Sequence, residues 1–176
     1  MVKITWVLVG LLLTWPVSAQ VGGRSTFEFL NLISSPRQAA MGGKVITIYD
    51  DDVNSPLFNP ATINVDMGNQ LAVNIVDYLG DLSYGSASYA YTYDRHVQTF
   101  HAGVTYINYG TFEGRDINGE FTNSFRGNEV ALSLGYARNI LFTDFYVGGN
   151  VKLISSQLED FTSLGGAVDL GVIYVN

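Results

Sequence analysis

The chain has 176 residues, 47% of them hydrophobic and only 14% charged, with a formal net charge of −7, 19 glycines, 11 tyrosines and no cysteine. That balance is too apolar for a disordered chain. It is too poor in Lys and Arg to displace counterions from nucleic acid, and without thiols it has no disulfide framework and no site for lipid attachment to cysteine.

Residues 1–19 read as a signal peptide. Lys3 supplies a positive start, Ile4 to Trp15 is a nearly unbroken apolar run, and Val17-Ser18-Ala19 places small residues for cleavage before Gln20. The run is short for a membrane-spanning helix, which needs about 20 apolar residues. Cleavage removes both tryptophans, Trp6 and Trp15, and takes the net charge from −7 to −8, because Lys3 is the only charge lost. An exported, acidic chain so low in charge suits a surface that faces lipid.

Residues 20–66 form an arm and a plug-like segment. Phe27-Glu28-Phe29-Leu30-Asn31-Leu32 crowds bulky apolar groups that must dock elsewhere, either on a soluble core or in the mouth of a barrel. Ser34 and Ser35 can cap a short helix with Pro36 at its first position, and Gly42-Gly43 stops it. A short extended run over Lys44–Tyr49 leads into Asp50-Asp51-Asp52, and the segment closes on Asn59-Pro60-Ala61. Proline there biases Asn59 toward an extended backbone. The three residues read as a structural junction that launches the first strand.

Residues 67–176 alternate with the period of a strand. Val130, Leu132, Leu134 and Tyr136 oppose Glu129, Ala131, Ser133 and Gly135; Phe145, Val147, Val151 and Leu153 oppose Gly148, Asn150 and Lys152. Val168, Leu170, Val172 and Tyr174 oppose Ala167, Asp169 and Gly171. Leu71–Tyr78, Leu82–Tyr93 and Thr99–Tyr109 are weaker versions, with Tyr89, Tyr91 and Tyr93 on one face like an interfacial girdle. Asp94-Arg95-His96 and Arg138-Asn139 read as short turns. Gly110–Arg126 reads as a long polar loop with a type I′ hairpin at Asn118-Gly119.

Short turns alternating with long loops on strands of about ten residues match an outer-membrane barrel. A soluble sandwich or lipocalin-like barrel fits less well. A core made from the Gly, Ala, Ser, Asn and Lys faces would be hollow or polar, and the opposite orientation would leave too little charge outside. About six strands are countable, fewer than the roughly eight at which single-chain barrels begin, so the chain reads as an N-terminal fragment of an incomplete barrel.

Chemistry finds little support. Asp50-x-Asp52-x-Asn54 starts like a calcium loop, but Ser55 stands for the turn glycine and Ala61 for the bidentate Glu; a looser cation site on these carboxylates stays open. His96 and His101 lack metal-ligand spacing. Gly42-Gly43-Lys44 is followed by Val45 rather than Ser or Thr, and no serine sits in a G-x-S-x-G elbow. Gly148-Gly149 and Gly165-Gly166 read as bends or close backbone approaches. No catalytic, cofactor or metal residue is expected.

Phe27-Glu28-Phe29-Leu30-Asn31-Leu32, Pro36-Arg37-Gln38-Ala39-Ala40-Met41-Gly42-Gly43, Asp51-Asp52-Val53-Asn54 and Asn59-Pro60-Ala61, with Tyr84-Gly85 and Tyr109-Gly110-Thr111-Phe112 further on, stand in an order and spacing that resemble the PorQ family of the type IX secretion system. That family lies within the wider group that includes PorV and the fatty-acid transporter FadL. The resemblance implies a FadL-type transmembrane antiparallel β-barrel with an N-terminal plug. It implies a non-enzymatic part in anchoring the cell-surface complex that processes and attaches secreted cargo, with PorU, PorV and PorZ as partners. The alternative is a FadL-like transporter of hydrophobic small molecules. Lys152, Asn150, Asp169 and Glu129 on lumen faces suit a filled polar interior better than a greasy slot.

Overall fold

The computed structural model describes residues 26–94, 98–140 and 143–175. The signal peptide at 1–19, His96 and the turn at Arg95 lie outside them. The fold is all-β with little helix. Six antiparallel strands follow one another in a single sheet: β1 (Leu71–Asp77), β2 (Ser83–Asp94), β3 (Gln98–Arg115), β4 (Phe121–Asn139), β5 (Phe145–Leu158) and β6 (Phe161–Tyr174). β1 and β6 are its two edges and do not pair with each other.

Two connections differ from the sequence reading. Gly110–Arg126 is not a loop: β3 and β4 continue through most of it, pairing Thr111 with Arg126, Phe112 with Phe125 and Glu113 with Ser124. Backbone pairing needs no apolar side chains, so a polar hairpin is hidden from a hydrophobic-period search. Its turn is not type I′ either. Gly119 has φ +84° but Asn118 does not enter the left-handed region, and Gly119 N–H donates to the Asp116 carbonyl at 3.0 Å. Asp116 N–H then donates to the Glu120 carbonyl at 2.9 Å, giving a three-residue connection with glycine at the left-handed position. Arg138-Asn139 is likewise strand, paired with Val147 and Tyr146.

The two faces of the sheet differ in kind. Successive strand side chains point to opposite sides, and every second one is bare. Ile75 is 82% exposed, Leu134 68% and Leu170 85%, with Val73, Leu132, Val151, Leu153, Val168 and Val172 beside them. The other face carries Ser86, Ser88, Ala90, His101, Gly103, Ala131, Ser133, Asn150 and Lys152, and is buried. Residues 27–67 are what bury it.

That segment is a string of short turns. A 3₁₀ turn at Glu28–Asn31 is followed by helix α1 (Pro36–Ala40), capped at Ser35, whose Oγ accepts from Gln38 N–H at 3.5 Å. Gly42 and Gly43 end it with φ of +92° and +132°, values that only glycine adopts freely. Lys44–Tyr49 forms no strand. Three further 3₁₀ turns follow at Ser55–Leu57, Pro60–Thr62 and Val65–Met67. At one end of the sheet Phe29 packs with Ile107, Ala131 and Ile154; at the other Val53 and Met67 pack with Ala90.

Candidate functional site

The site that the residues build is the seat between this segment and the inner face of the sheet. Its local logic is an asparagine every five residues. Asn54, Asn59 and Asn64 each stand at the N-cap of a 3₁₀ turn. Asn59 Oδ1 accepts from Ala61 N–H at 3.0 Å, and Asn64 Oδ1 accepts from Asp66 N–H at 2.8 Å. These caps satisfy donors left free at a helix start. Asn54 faces the sheet instead, where its Oδ1 accepts from Asn74 Nδ2 at 2.7 Å.

The sheet returns donors to the segment's carbonyls. Asn150 Nδ2 donates to Pro56 O at 2.7 Å, and Lys152 Nζ donates to Leu57 O at 3.0 Å. His101 Nε2 lies 3.1 Å from Val53 O. A carbonyl can only accept, so the ring proton sits on Nε2. Three side chains from β3 and β5 therefore hold one turn of the segment by its backbone. Lys152 is also ion-paired with Asp169 on β6 at 2.6 Å, which satisfies a buried cation that is otherwise costly.

Asn59, Pro60 and Ala61 sit in this seat. Asn59 is extended, with φ −135° and ψ 104°, and its Nδ2 donates to Ile46 O at 2.6 Å. Ala61 is 0% exposed, over β5 and β6. A Cβ at Gly148 would lie 2.4 Å from the Pro60 carbonyl carbon and oxygen, and one at Gly171 would lie 2.0 Å from Asn59 Oδ1. The three residues are a junction, but not one that launches a strand: β1 begins only at Leu71, after another turn. Proline supplies the bend into a 3₁₀ turn because its fixed φ suits a helical first position. Gly165 likewise admits the Phe27 ring, 2.5 Å from where its Cβ would be.

The acidic cluster has an internal partner. Arg37 Nη2 lies 2.5 Å from Asp50 Oδ2, and Nη1 lies 3.4 Å from Asp52 Oδ2. Asp50 Oδ1 accepts from Asp52 N–H, and Asp52 Oδ1 accepts from the backbone N–H and the Nδ2 of Asn54. The Arg37 hydrogen bond holds the Asp50 carboxyl below the usual carboxylate range, and the same contact raises Arg37. Among the described residues no three His, Asp or Glu side chains form a group that could hold a metal ion.

Sequence reading placed Lys152, Asn150, Asp169 and Glu129 on the inner face, and the structure puts the first three together around the segment. Glu129 stands apart, accepting from the Tyr109 hydroxyl at 2.7 Å. The five-residue asparagine spacing and the carbonyl-reading role of His101 were missed. The first is visible in the sequence as Asn54, Asn59 and Asn64; the second is not, because it joins residues 48 apart. No family model matches the chain, and neither the curated proteins nor the solved structures yield a match.

Proposed function

We propose that the chain contributes a wall and its plug to an outer-membrane β-barrel of the type IX secretion kind, with a non-catalytic role in anchoring a cell-surface assembly. The observation that carries the membrane part is the bare outer face. A contiguous apolar surface of this size marks a membrane or protein contact. On β6 it runs from Leu164 to Tyr174, ten steps of about 3.3 Å, or about 25 Å of membrane height at a strand tilt of about 40°. That equals the apolar band of outer-membrane barrels.

An aromatic belt lies at one end of this band. Tyr91 is paired in register with Phe100, and Phe100 with Tyr136, their rings 5.3 Å apart; Phe145 and Tyr174 are 5.1 Å apart. The inner face, small and polar, is occupied by residues 27–67, which favours a filled anchor over a passage for hydrophobic molecules. In hydrocarbon both sheet edges require strand partners, since unpaired backbone groups there are costly. The secretion role rests on the family resemblance of the motifs from Phe27 to Ala61, and PorU, PorV and PorZ are the partners it implies.

The membrane part is tested by fractionation of expressing cells. The full-length product of the gene should sediment with outer membranes and show heat-modifiable gel mobility; its recovery in the soluble periplasmic fraction would overturn the membrane part. Deletion of the gene tests the role. Loss of cargo processing and surface attachment is expected, and intact cargo with reduced fatty-acid uptake would favour the transporter.

A further inference from the structure

The outer face of β3, β4 and β5 changes its chemistry rung by rung. Cross-strand partners share a face, and each rung of that face lies two residues, about 7 Å, from the next. Val104, Leu132 and Leu153 are partners in one rung, and Tyr106, Val130 and Ser155 in the next. Asn108, Asn128 and Gln157 make the third, and Arg126, paired with Thr111, stands in the fourth. The β5–β6 pair ends at that height: Leu158 pairs with Gly127 and with Phe161, and Glu159 N–H donates to Arg126 O at 3.1 Å. A cation therefore stands beside the Glu159–Asp160 turn, just above the apolar band.

Two cavities line up on this face. A polar cleft of about 710 Å³ is lined by Asn108, Asn128, Gln157, Arg126, Glu159 and Asp160. Below it lies an apolar groove of about 400 Å³, whose floor is low because Ala87 and Ala102 are small where Tyr89, Leu132 and Leu134 rise around them. Val104 borders the groove and Tyr106, one rung up, borders the cleft, so the two adjoin. The charges in the cleft are free. Among the described residues the ion pairs join Arg37 to Asp50 and Asp52, Arg115 to Glu113, and Lys152 to Asp169, and none uses Arg126, Glu159 or Asp160.

We propose that this face holds one lipid whose headgroup carries both a phosphate and an ammonium, with an acyl chain in the groove over Ala87 and Ala102. Arg126 and the amides of Asn128 and Gln157 donate to the phosphate, and Glu159 and Asp160 accept from the ammonium. Charge selects this occupant. An anionic headgroup meets Arg126 but is repelled by both carboxylates, a cationic one is repelled by Arg126, and an uncharged sugar gains no ion pair from any of the three. Cation and carboxylates stand side by side at one height, which suits a zwitterion lying along the membrane surface. The inference rests on the membrane reading and adds to it a lipid held in a fixed place.

The test is native mass spectrometry of the full-length product of the gene, released from nonionic detergent micelles. The probes are phosphatidylethanolamine, phosphatidylglycerol and diglucosyl diacylglycerol with identical acyl chains, added in equal amounts. Phosphatidylethanolamine should be retained about tenfold more than either of the others, the equivalent of one charge-assisted hydrogen bond. Glu159→Gln with Asp160→Asn should lower its retention about tenfold and raise that of phosphatidylglycerol. Arg126→Gln should weaken both phospholipids and leave the glucolipid unchanged. Ala102→Phe, which fills the groove from an exposed position, should weaken all three alike. Equal retention of the three lipids by the unmodified protein would mean an unselective lipid belt and overturn the proposal, whether or not the variants fold. A preference that survives the double carboxylate change would overturn it too. A product that sediments with outer membranes yet shows no preference leaves the membrane reading standing, whereas recovery in the soluble periplasmic fraction removes that reading and this site with it.

Discussion

Gly148 and Gly149 are adjacent on β5 yet face opposite sides of the sheet, and alanine at the two should act with opposite sign. A methyl on Gly148 would stand 2.4 Å from the Pro60 carbonyl and 2.7 Å from Ala61 N, with backbone as the obstacle. Since ordinary contact begins near 3.4 Å, the segment must move by about 1 Å, and overpacking of this kind costs about 1–3 kcal/mol. The opening equilibrium of the segment should rise about 5- to 150-fold. A methyl on Gly149 meets nothing closer than 3.6 Å; it removes the backbone-entropy penalty of glycine in a strand and should stabilise by about 0.5–1 kcal/mol. Hydrogen exchange of the full chain in micelles reads both. Gly148→Ala should lose protection at residues 53–63 and Gly149→Ala should not. Identical protection in the two variants would refute the close packing of Pro60 on β5.

Three further outcomes follow from the same geometry. Leu134→Arg places a charge on the bare outer face and should cost about 2–4 kcal/mol in urea titrations of folding into lipid vesicles, whereas a face in water would change by about 0.5 kcal/mol or less. Lys152→Met removes the donor to Leu57 O and the partner of Asp169, and should cost about 1.5–3 kcal/mol in the same titration; Lys152→Met with Asp169→Leu should recover part of it, since an unpaired carboxylate no longer remains. Asp50 has its carboxyl held low by Arg37, so its contribution is complete above the unfolded carboxylate value of about 3.9 and is lost as pH falls through the lower folded value. Hydrogen-exchange protection at residues 37–52, taken relative to the intrinsic exchange rate at each pH, should be flat from pH 7 to about 4 and fall below it. Arg37→Gln should abolish that acid step, and an unchanged step would remove Arg37 from the explanation.

How far the chain could be read before its fold was seen depends on how local each feature is. The alternation on β4, β5 and β6 was legible because strand side chains alternate whatever the tertiary context. The helix at Pro36–Ala40 was legible because Ser35, Pro36 and the Gly42-Gly43 pair each act within a few residues. The β3–β4 extension reads as a loop in the sequence, since Phe112, Ile117, Phe121 and Phe125 are too sparse among polar residues to set a period of two, and only partner pairing reveals it. Asn118-Gly119 pointed to a hairpin correctly and to its turn type incorrectly, because the capping carboxylate of Asp116 selects the longer connection.

By itself the sequence determined an all-β chain with one small, polar face and one apolar face, preceded by a capped, irregular segment. Tertiary structure alone decided which face that segment covers. Gly148 and Gly171 became contacts of Asn59, Pro60 and Ala61, and Asn150, Lys152 and His101 became donors to carbonyls at Pro56, Leu57 and Val53. The reason is separation: these partners lie from 48 to more than 100 residues apart, and nothing in local propensity or period specifies which carbonyl a distant side chain will find.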